Sequence, residues 1–533
     1  DLTTNDPSKQ MQHESGGLTM DATGAENHTT LLVIEPSPIT HELIWIGSDD
    51  GKVHITQNGG LTWQDVGTNI KGLPQGSWIT QIKASNKRPG EALLVANDYR
   101  RFNYTPYAYR TTDYGKSWVR IVDQNDVKSY ALCIVEDPIE ERLLFLGTDD
   151  GLYCSIDAGK NWRKWTNGFP TVSVKDLVIH PREHDLVIAT FGRSAWVLDD
   201  IRILRALAKN SDMINNDLAL APPPIGYLAA YQQPTGSRFG ADAMYQGDNK
   251  PSGVALTYYV NQAKQKDPDA ATENGTPTAS KKDSLILQIF EGQDLIRTLK
   301  KKTPDSTGFY RWRWRMDKSG VQRPSRNPKP SRYEPSGGWV APGDYRLVLN
   351  YGDQKSEQMI KIQADPRIPY NAHAYALNQT LLQEVQTMTE SIKEVIDQLA
   401  HSRDAVIDLT QRMSAIDAQR FEAHIDSSKT INKEINQLID LFLGANDERQ
   451  GITASLKVTV MERIGQLNWY ASSRPNGPTA TEQQLLVNAK NAYEKAVTQV
   501  NEFYQSKWEN YQKTIEILDL SPFKAHKLFN TNE

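Results

Sequence analysis

A chain of 533 residues with 60 basic and 65 acidic side chains carries a net charge of −5, which leaves no global positive field to draw in nucleic acid or an anionic membrane. The length allows roughly three domains of ordinary size. No apolar run approaches the roughly 20 residues needed to span a bilayer.

Residues 1 to 30 read as a Gly- and polar-rich approach to a set of repeats. Three copies of one pattern follow: Thr56-Gln57-Asn58-Gly59-Gly60-Leu61-Thr62-Trp63, Thr111-Thr112-Asp113-Tyr114-Gly115-Lys116-Ser117-Trp118 and Ser155-Ile156-Asp157-Ala158-Gly159-Lys160-Asn161-Trp162. Each places a hydroxyl, then Asp or Asn, then Gly, then Trp. Such a turn folds its acidic or amide side chain back onto backbone N–H groups while Gly takes the sterically special position. The Trp residues stand 118 − 63 = 55 and 162 − 118 = 44 positions apart, the spacing of four-stranded β-propeller blades. The first and third copies follow an apolar strand and a Gly/Asp turn, Leu43 to Gly51 and Leu143 to Gly151. The middle blade places Ala96 to Tyr107 where the others have a tight turn, which predicts an inserted loop. Cys133 and Cys154 are expected on neighbouring strands of the third blade, with a disulfide and two free buried thiols both open.

A fourth segment, Leu186 to Asp200, repeats the inner strands of a blade and stops without a box. About three and a half blades are thus expected, fewer than the roughly four to eight of closed propellers. Since the chain begins with Asp1 rather than Met, further blades are expected upstream in the native protein or from another chain.

After Asp200 the character changes. Residues 203–250, with a short amphipathic piece at Ile203 to Leu207 and then Ala221-Pro222-Pro223-Pro224, read as a linker. Residues 251–365 alternate as short strands at Val254 to Val260, Leu285 to Phe290, Tyr310 to Met316 and Tyr345 to Tyr351, with Lys264 to Lys282 as a polar loop. This predicts a small β-sandwich, and Ala341-Pro342-Gly343-Asp344-Tyr345 resembles the last hairpin of fibronectin type III-like domains. Over residues 366–533 the period becomes helical. Leu377, Leu381, Val385, Met388, Ile392, Ile396 and Leu399 trace one helix, Ile431, Ile435, Leu438 and Phe442 a second, and Ile452, Leu456, Val460, Ile464 and Leu467 a third. Thr479 with Glu482 forms a candidate capping box for a fourth, so a helical bundle is expected.

The repeated turn resembles the Asp box. With the closing stretch Phe191 to Asp200, a sandwich and a helical tail, the chain resembles the C-terminal portion of large secreted bacterial proteins with sortilin-type propellers, often called glycosyl hydrolase or BNR-repeat proteins. That resemblance implies residues 1–202 as the last blades of an Asp-box propeller and an extracytoplasmic location: secreted, periplasmic or cell surface. Related propellers include sialidases, xyloglucan-cleaving glycosidases and sortilin receptors, so the fold leaves the function open.

Glycoside hydrolysis usually needs two carboxylates about 5 to 9.5 Å apart. Glu26, Asp98, Asp149 and Asp150 are candidates, but Asp49, Asp50, Asp149 and Asp150 recur at equivalent places and point to a turn role. His180-Pro181-Arg182-Glu183-His184 lacks the helical context of a zinc site, so neither metal nor cofactor is expected. The alternation Tyr310-Arg311-Trp312-Arg313-Trp314-Arg315-Met316 reads as a sandwich strand with one solvated side. The best binding candidates are Asp98, Tyr99, Arg100, Arg101, Tyr104 and Tyr107 in the inserted loop, which join flat aromatic faces to guanidinium donors. Arg193 and Trp196 are placed on an innermost-strand segment beside the central channel. A non-catalytic module binding protein or glycan is the leading reading. A glycosidase completed by other blades, or a structural subunit of an envelope assembly, are the alternatives.

Overall fold

The computed structural model describes residues 1–10, 28–229, 250–262, 284–331, 333–445, 458–473 and 476–521. Glu26, the 264–282 loop, the second half of the 203–250 linker, and Ile452 and Leu456 of the third helix lie outside these residues. The chain is mainly β with a helical C-terminal region. It forms two units, the first built from 1–222 with segments 257–262 and 306–310, the second from the remaining described residues.

The first unit opens with four antiparallel blades in chain order. These are β1 (Leu31–Pro36) to β4 (Gln64–Asp65) with β2 (Ile44–Ser48) and β3 (Val53–Thr56); β5 (Trp78–Ala84), β6 (Ala92–Asp98), β7 (Asn103–Thr111) and β8 (Val119–Arg120); β9 (Ala131–Glu136), β10 (Leu144–Thr148), β11 (Gly151–Ser155) and β12 (Arg163–Lys164); and the three-stranded β13 (Val174–Ile179), β14 (Leu186–Thr190) and β15 (Ala195–Leu198). First strands pack in series, β1 on β5, β5 on β9 and β9 on β13. Alternation along each strand supplies two apolar faces per blade, because a blade between two others is covered on both sides. Trp45, Val53 and Ile55 of the first blade pack against Ile82, Leu94 and Tyr109 of the second. Leu93 and Val95 of the second pack against Ile134, Leu144 and Leu146 of the third. Cys133, Phe145 and Leu152 of the third pack against Leu177, Leu186 and Ile188 of the fourth.

The three repeated turns close as their side chains require. Asn58, Asp113 and Asp157 accept the backbone N–H of Thr62, Ser117 and Asn161 at 2.9, 2.9 and 3.0 Å. The preceding hydroxyls of Thr56, Thr111 and Ser155 accept the N–H of Gly60, Gly115 and Gly159 at 2.9, 3.0 and 2.9 Å. Those glycines sit at φ +93°, +78° and +87°, a region that side-chain-bearing residues rarely enter. Trp118 and Trp162 are buried beneath their turns, whereas Trp63 is only half-buried.

Three sequence expectations change. The middle blade holds no long loop: β6 and β7 run on past the length of their counterparts and are joined by a single 3-10 turn, Tyr99–Arg101. Tyr107, Tyr109 and Thr111 favour extended backbone, and Ala96 pairs with Tyr107, so the added residues continue the ladder. Cys133 on β9 and Cys154 on β11 are separated by β10 and are free and buried. Burial pushes the Cys154 thiol up to about 12 and raises that of Cys133 as well, so both stay protonated at neutral pH. The described part of the expected linker is structured, with α1 (Arg202–Lys209), β16 (Leu218–Leu220) and β17 (Gly226–Leu228). The apolar Ile201 and Ala208 join the core of the third and fourth blades, and Leu218 to Leu220 pair with β18 (Val254–Val260).

The remaining strands are β19 (Ser284–Glu291), β20 (Asp294–Lys302), β21 (Gly308–Trp314), β22 (Asp317–Ser319), β23 (Ser336–Trp339), β24 (Gly343–Tyr351) and β25 (Gln354–Ala364). They build a three-stranded sheet, β16-β18-β21, a five-stranded sheet, β17-β25-β24-β19-β20, and the small pair β22-β23. On β21 the arginines Arg311 and Arg313 are exposed and Trp314 is fully buried, the alternation of a strand with one wet face.

The helical region comprises α2 (Ala372–Asp417), α3 (Glu422–Leu443), α4 (Val460–Ser472), α5 (Ala480–Glu502), a widened turn at Phe503–Trp508 and α6 (Glu509–Glu516). Its core gathers Leu381, Val385, Met388, Ile392, Ile396 and Leu399 with Ile431, Ile435, Phe442, Ile464 and Leu467, while Leu377 of the same stripe stays exposed. Capping boxes start α4 at Thr459 and α5 at Thr479, the backbone N–H of each threonine donating to Glu462 or Glu482 at 2.7 Å.

Candidate functional site

In an up-and-down blade the turns joining second to third strands and those joining third to fourth strands lie at opposite ends. The three box turns therefore occupy one end of the propeller region, and the turns 48–51, 98–103, 148–151 and 190–194 the other.

At the second end, the turn of the middle blade is organised by Asp98. Its carboxylate accepts Arg101 Nε at 2.5 Å and Asn103 Nδ2 at 3.1 Å, and Asn103 also donates to the Tyr107 hydroxyl at 3.0 Å. Asp98 is buried and Arg101 partly exposed, so the pair holds the turn and leaves the rest of it outside. Phe102 at the tip has φ +59°, an unusual conformation for an aromatic residue, and is 80% exposed.

Beside this turn runs a continuous stack. The Arg100 guanidinium lies over the Trp78 ring at 3.1 Å and over the Tyr99 ring at 4.7 Å. Tyr99 stacks on Tyr130 with centroids 4.7 Å apart at 18°, and Tyr104 leans on Tyr130 at 6.1 Å. Tyr104 is 54% exposed and Tyr130 is buried. Burial and the adjoining Asp149 carboxylate raise the Tyr130 phenol above its ordinary range, so it stays neutral and donates to that carboxylate.

Thus Asp98, Tyr99, Arg100, Arg101 and Tyr104 come together. Tyr107 does not join them: it points into the core between the first two blades, 5% exposed, with the Arg120 guanidinium 4.9 Å over its ring. Arg193 and Trp196 also stand apart, two blades away. Arg193 lies in the turn into β15 and Trp196 on β15 itself, the third strand of its blade, whereas the first strands, here β13, are the ones that pack in series; the expected innermost-strand position is therefore not found. Trp196 packs edge-on to Phe169 at 5.4 Å and donates to the Arg193 carbonyl at 2.9 Å.

Trp78 and Tyr130, both absent from the sequence-derived set, supply the floor of the stack. They occupy the same blade position: Trp78 pairs with Asn97, and the Tyr130 carbonyl accepts the N–H of Asp149 at the corresponding site. Aligning the blades by register, with an aromatic residue at that place in two successive copies, was the signal that would have found them.

The candidate carboxylates are engaged in turns. Asp50 accepts Ser48 and Thr4, and although burial alone would raise it, these bonds hold its carboxyl below the usual range. Asp150 accepts Thr148 at 2.7 Å and Lys164 at 2.9 Å. His180 Nδ1 accepts the backbone of Arg182 and Glu183 at 3.3 and 3.1 Å, and His184 Nδ1 lies 2.8 Å from Arg205. Among the described residues no cluster of His, Cys, Asp and Glu could hold a metal ion, and no helix is long and apolar enough to cross a membrane.

Residues 107–201 match the family model of sortilin, neurotensin receptor 3. The matched stretch runs from the third strand of the second blade to the end of the fourth, so these blades are similar to a sortilin-type β-propeller. A comparison with curated protein sequences gives no match. Among solved structures the chain is similar to YCF48 bound to D1 peptide, at 16% identity over 32% of this chain and 65% of that one with a TM-score of 0.22. It is similar to a GH74 enzyme of Niastella koreensis at 15% identity, over 34% of this chain and 25% of that one, TM-score 0.23. It is also similar to a GH74 xyloglucanase of Xanthomonas campestris at 12% identity, over 34% and 30%, TM-score 0.26. The chain spans less than two thirds of each of these proteins.

Proposed function

We propose that this chain is a non-catalytic recognition module of a secreted or cell-surface protein of bacterial sortilin-type kind. The second-to-third-strand end of its propeller region binds a protein segment or a glycan. The observation that supports this reading most is the stack of Trp78, Arg100, Tyr99, Tyr130 and Tyr104 with Phe102 beside it. The half-exposed Tyr104 ring, held against Tyr130, loses little entropy when a sugar ring or a planar peptide group settles on it, and the exposed Phe102 ring stands in the same turn. The Arg100 guanidinium stacked on two rings adds a fixed positive charge beside those faces. The repeated turns are Asp boxes in this reading, residues 251–365 a fibronectin type III-like sandwich, and the sandwich and bundle act as spacer or docking elements. The carboxylates of this end hold turns, which favours binding over hydrolysis.

The test is a glycan and peptide panel with the whole chain. Tyr104→Ala should weaken the ligand by about 2 kcal/mol, the scale of interface hot spots, with folding unchanged, and Arg100→Ala should weaken it by a similar amount while also losing the stacking on Trp78 and Tyr99. Release of reducing sugar by the wild-type protein would replace this reading with the glycosidase one.

A further inference from the structure

Residues 1–10 are pinned to the first blade at two points. Thr4 donates its backbone N–H to Asp50 in the turn 48–51 at 2.6 Å, and Gln10 Nε2 donates to Thr29 at 2.8 Å. Between these anchors Asp6 accepts the N–H of Ser8 at 3.0 Å and opens a single 3-10 turn, Pro7–Lys9, which brings the Lys9 ammonium to Gly76. Gly76 lies in the connection between the first two blades, two residues before Trp78, and a methyl group on Gly51 would come 2.9 Å from its nitrogen. It has φ +74°, and the place where its own Cβ would stand is open. Chain neighbours aside, the three heavy atoms nearest to that place among the described residues are Arg101 Nη1 at 3.8 Å, Lys9 Nζ at 3.9 Å and Arg101 Nη2 at 4.0 Å. Asp98 takes Nε and Nη2 of that guanidinium, and Nη1 is the nitrogen nearest the opening. Two cations thus converge on one opening, with Arg100 on the Trp78 ring beside it.

We propose that this opening is an anion subsite that takes a carboxylate of an acidic peptide segment, an inference that rests on the recognition reading of this end and names its partner. Lys9 and Arg101 repel each other across the opening until an anion stands between them, and charged N–H···O bonds of about 2.7–2.9 Å reach oxygens placed just outside the Gly76 Cα. Any side chain at position 76 would fill the cradle, so the glycine keeps it open. The choice of a peptide over a glycan follows from the balance of donors and acceptors. Sugar hydroxyls need acceptors as well as donors. The carboxylates of this end already accept bonds within the chain: Asp50 from Thr4 and Ser48, Asp98 from Arg101 and Asn103, Asp150 from Thr148 and Lys164. What the surface offers instead is cations, Lys9, Arg100 and Arg101, and an apolar ring, Phe102. A peptide brings acceptor carbonyls, an acidic side chain for the cradle and an apolar side chain for the ring.

The test presents the whole chain to an array of N-acetylated, C-amidated peptides of varied sequence, each in two forms: with Asp and Glu, and with Asn and Gln in their place. Oligogalacturonate and neutral oligosaccharides are run beside them. Peptides retained by the wild type, titrated by fluorescence anisotropy, should lose about tenfold or more in affinity in the amide form, as one charge-assisted contact is removed. Lys9→Gln should bind the two forms alike and Lys9→Arg should keep the preference, both with the melting temperature of the wild type; Lys9 is the diagnostic residue because Arg101 also fastens its turn. Equal binding of both forms by the wild type overturns the proposal, and if Tyr104→Ala then weakens both, the recognition reading stands without it. Acidic peptides released by Lys9→Gln but untouched by Tyr104→Ala would keep the anion subsite and sink the aromatic reading. Retention of oligosaccharides alone, or of no probe at all, overturns the proposal.

Discussion

Asp98 and Arg101 were drawn from the same six-residue set as Tyr104, yet the structure gives them different work. Asp98 is buried and fastened to Arg101 and Asn103, so Asp98→Ala leaves two donors short of a partner. A loss of about 1–3 kcal/mol in folding stability is expected by chemical denaturation. Tyr104→Ala removes a half-exposed ring from the stack and should leave stability within about 0.5 kcal/mol while weakening any ligand of that end. The residue types of this site were legible in the sequence; their division into support and surface was not. That division rests on whether a side chain at a given register faces core or solvent, and the insertion's strand character hid the register. A pH effect belongs at this scale as well. Burial, with Arg202 and Arg205 nearby, holds the His184 imidazolium below its ordinary value of 6.5. The unfolded chain then binds more protons than the folded one as pH falls through 6.5. Stability present above that pH is therefore lost progressively below it. His184→Gln should flatten the melting-temperature profile between about pH 7.5 and 5 relative to wild type.

At the scale of elements, turns and caps were the easiest features to read, because their chemistry is local. The box spacing, the Thr479 to Glu482 capping box and the apolar stripes of α2 and α3 all follow from side chains within a few residues of one another. Strands β20, β22, β23 and β25 were not anticipated. Lys300 to Lys302 are exposed on both sides, and Gln354 to Gln358 carry no apolar alternation, so nothing in their own residues marks a strand; each run is held by the ladder to its hairpin neighbour, β19 or β24. The glycines of the box turns offer a graded test. Gly115 has φ +78° and a methyl group there would come 2.8 Å from Val66, whereas Gly59 has φ +67° with open space around it. Gly115→Ala should cost about 1–3 kcal/mol for strain, with the clash added, and Gly59→Ala clearly less. Equal effects in thermal melts would mean that the turns are not held by backbone geometry.

Across the whole molecule, one repeat position meets four environments, and that separates packing from sequence preference. Ile34, Ile82, Ile134 and Leu177 are chemically alike and sit at the same register, so strand propensity treats them alike. What differs is the neighbour: Ile82 and Leu177 lie in cores shared with the preceding blade, and Ile134 is buried between the second and third. The number of blades was legible because the repeat is local in sequence. Which faces stay uncovered was not, since that depends on what stands beside the first and fourth blades. Ile82→Ala and Ile134→Ala should each cost about 2–5 kcal/mol, the lost transfer energy plus the cavity left in a packed interior. Ile34→Ala, at a position 67% exposed, should cost less than about 0.5 kcal/mol by chemical denaturation. A cost for Ile34→Ala equal to that of Ile82→Ala would show that the packing of neighbouring blades does not set the difference between these two positions.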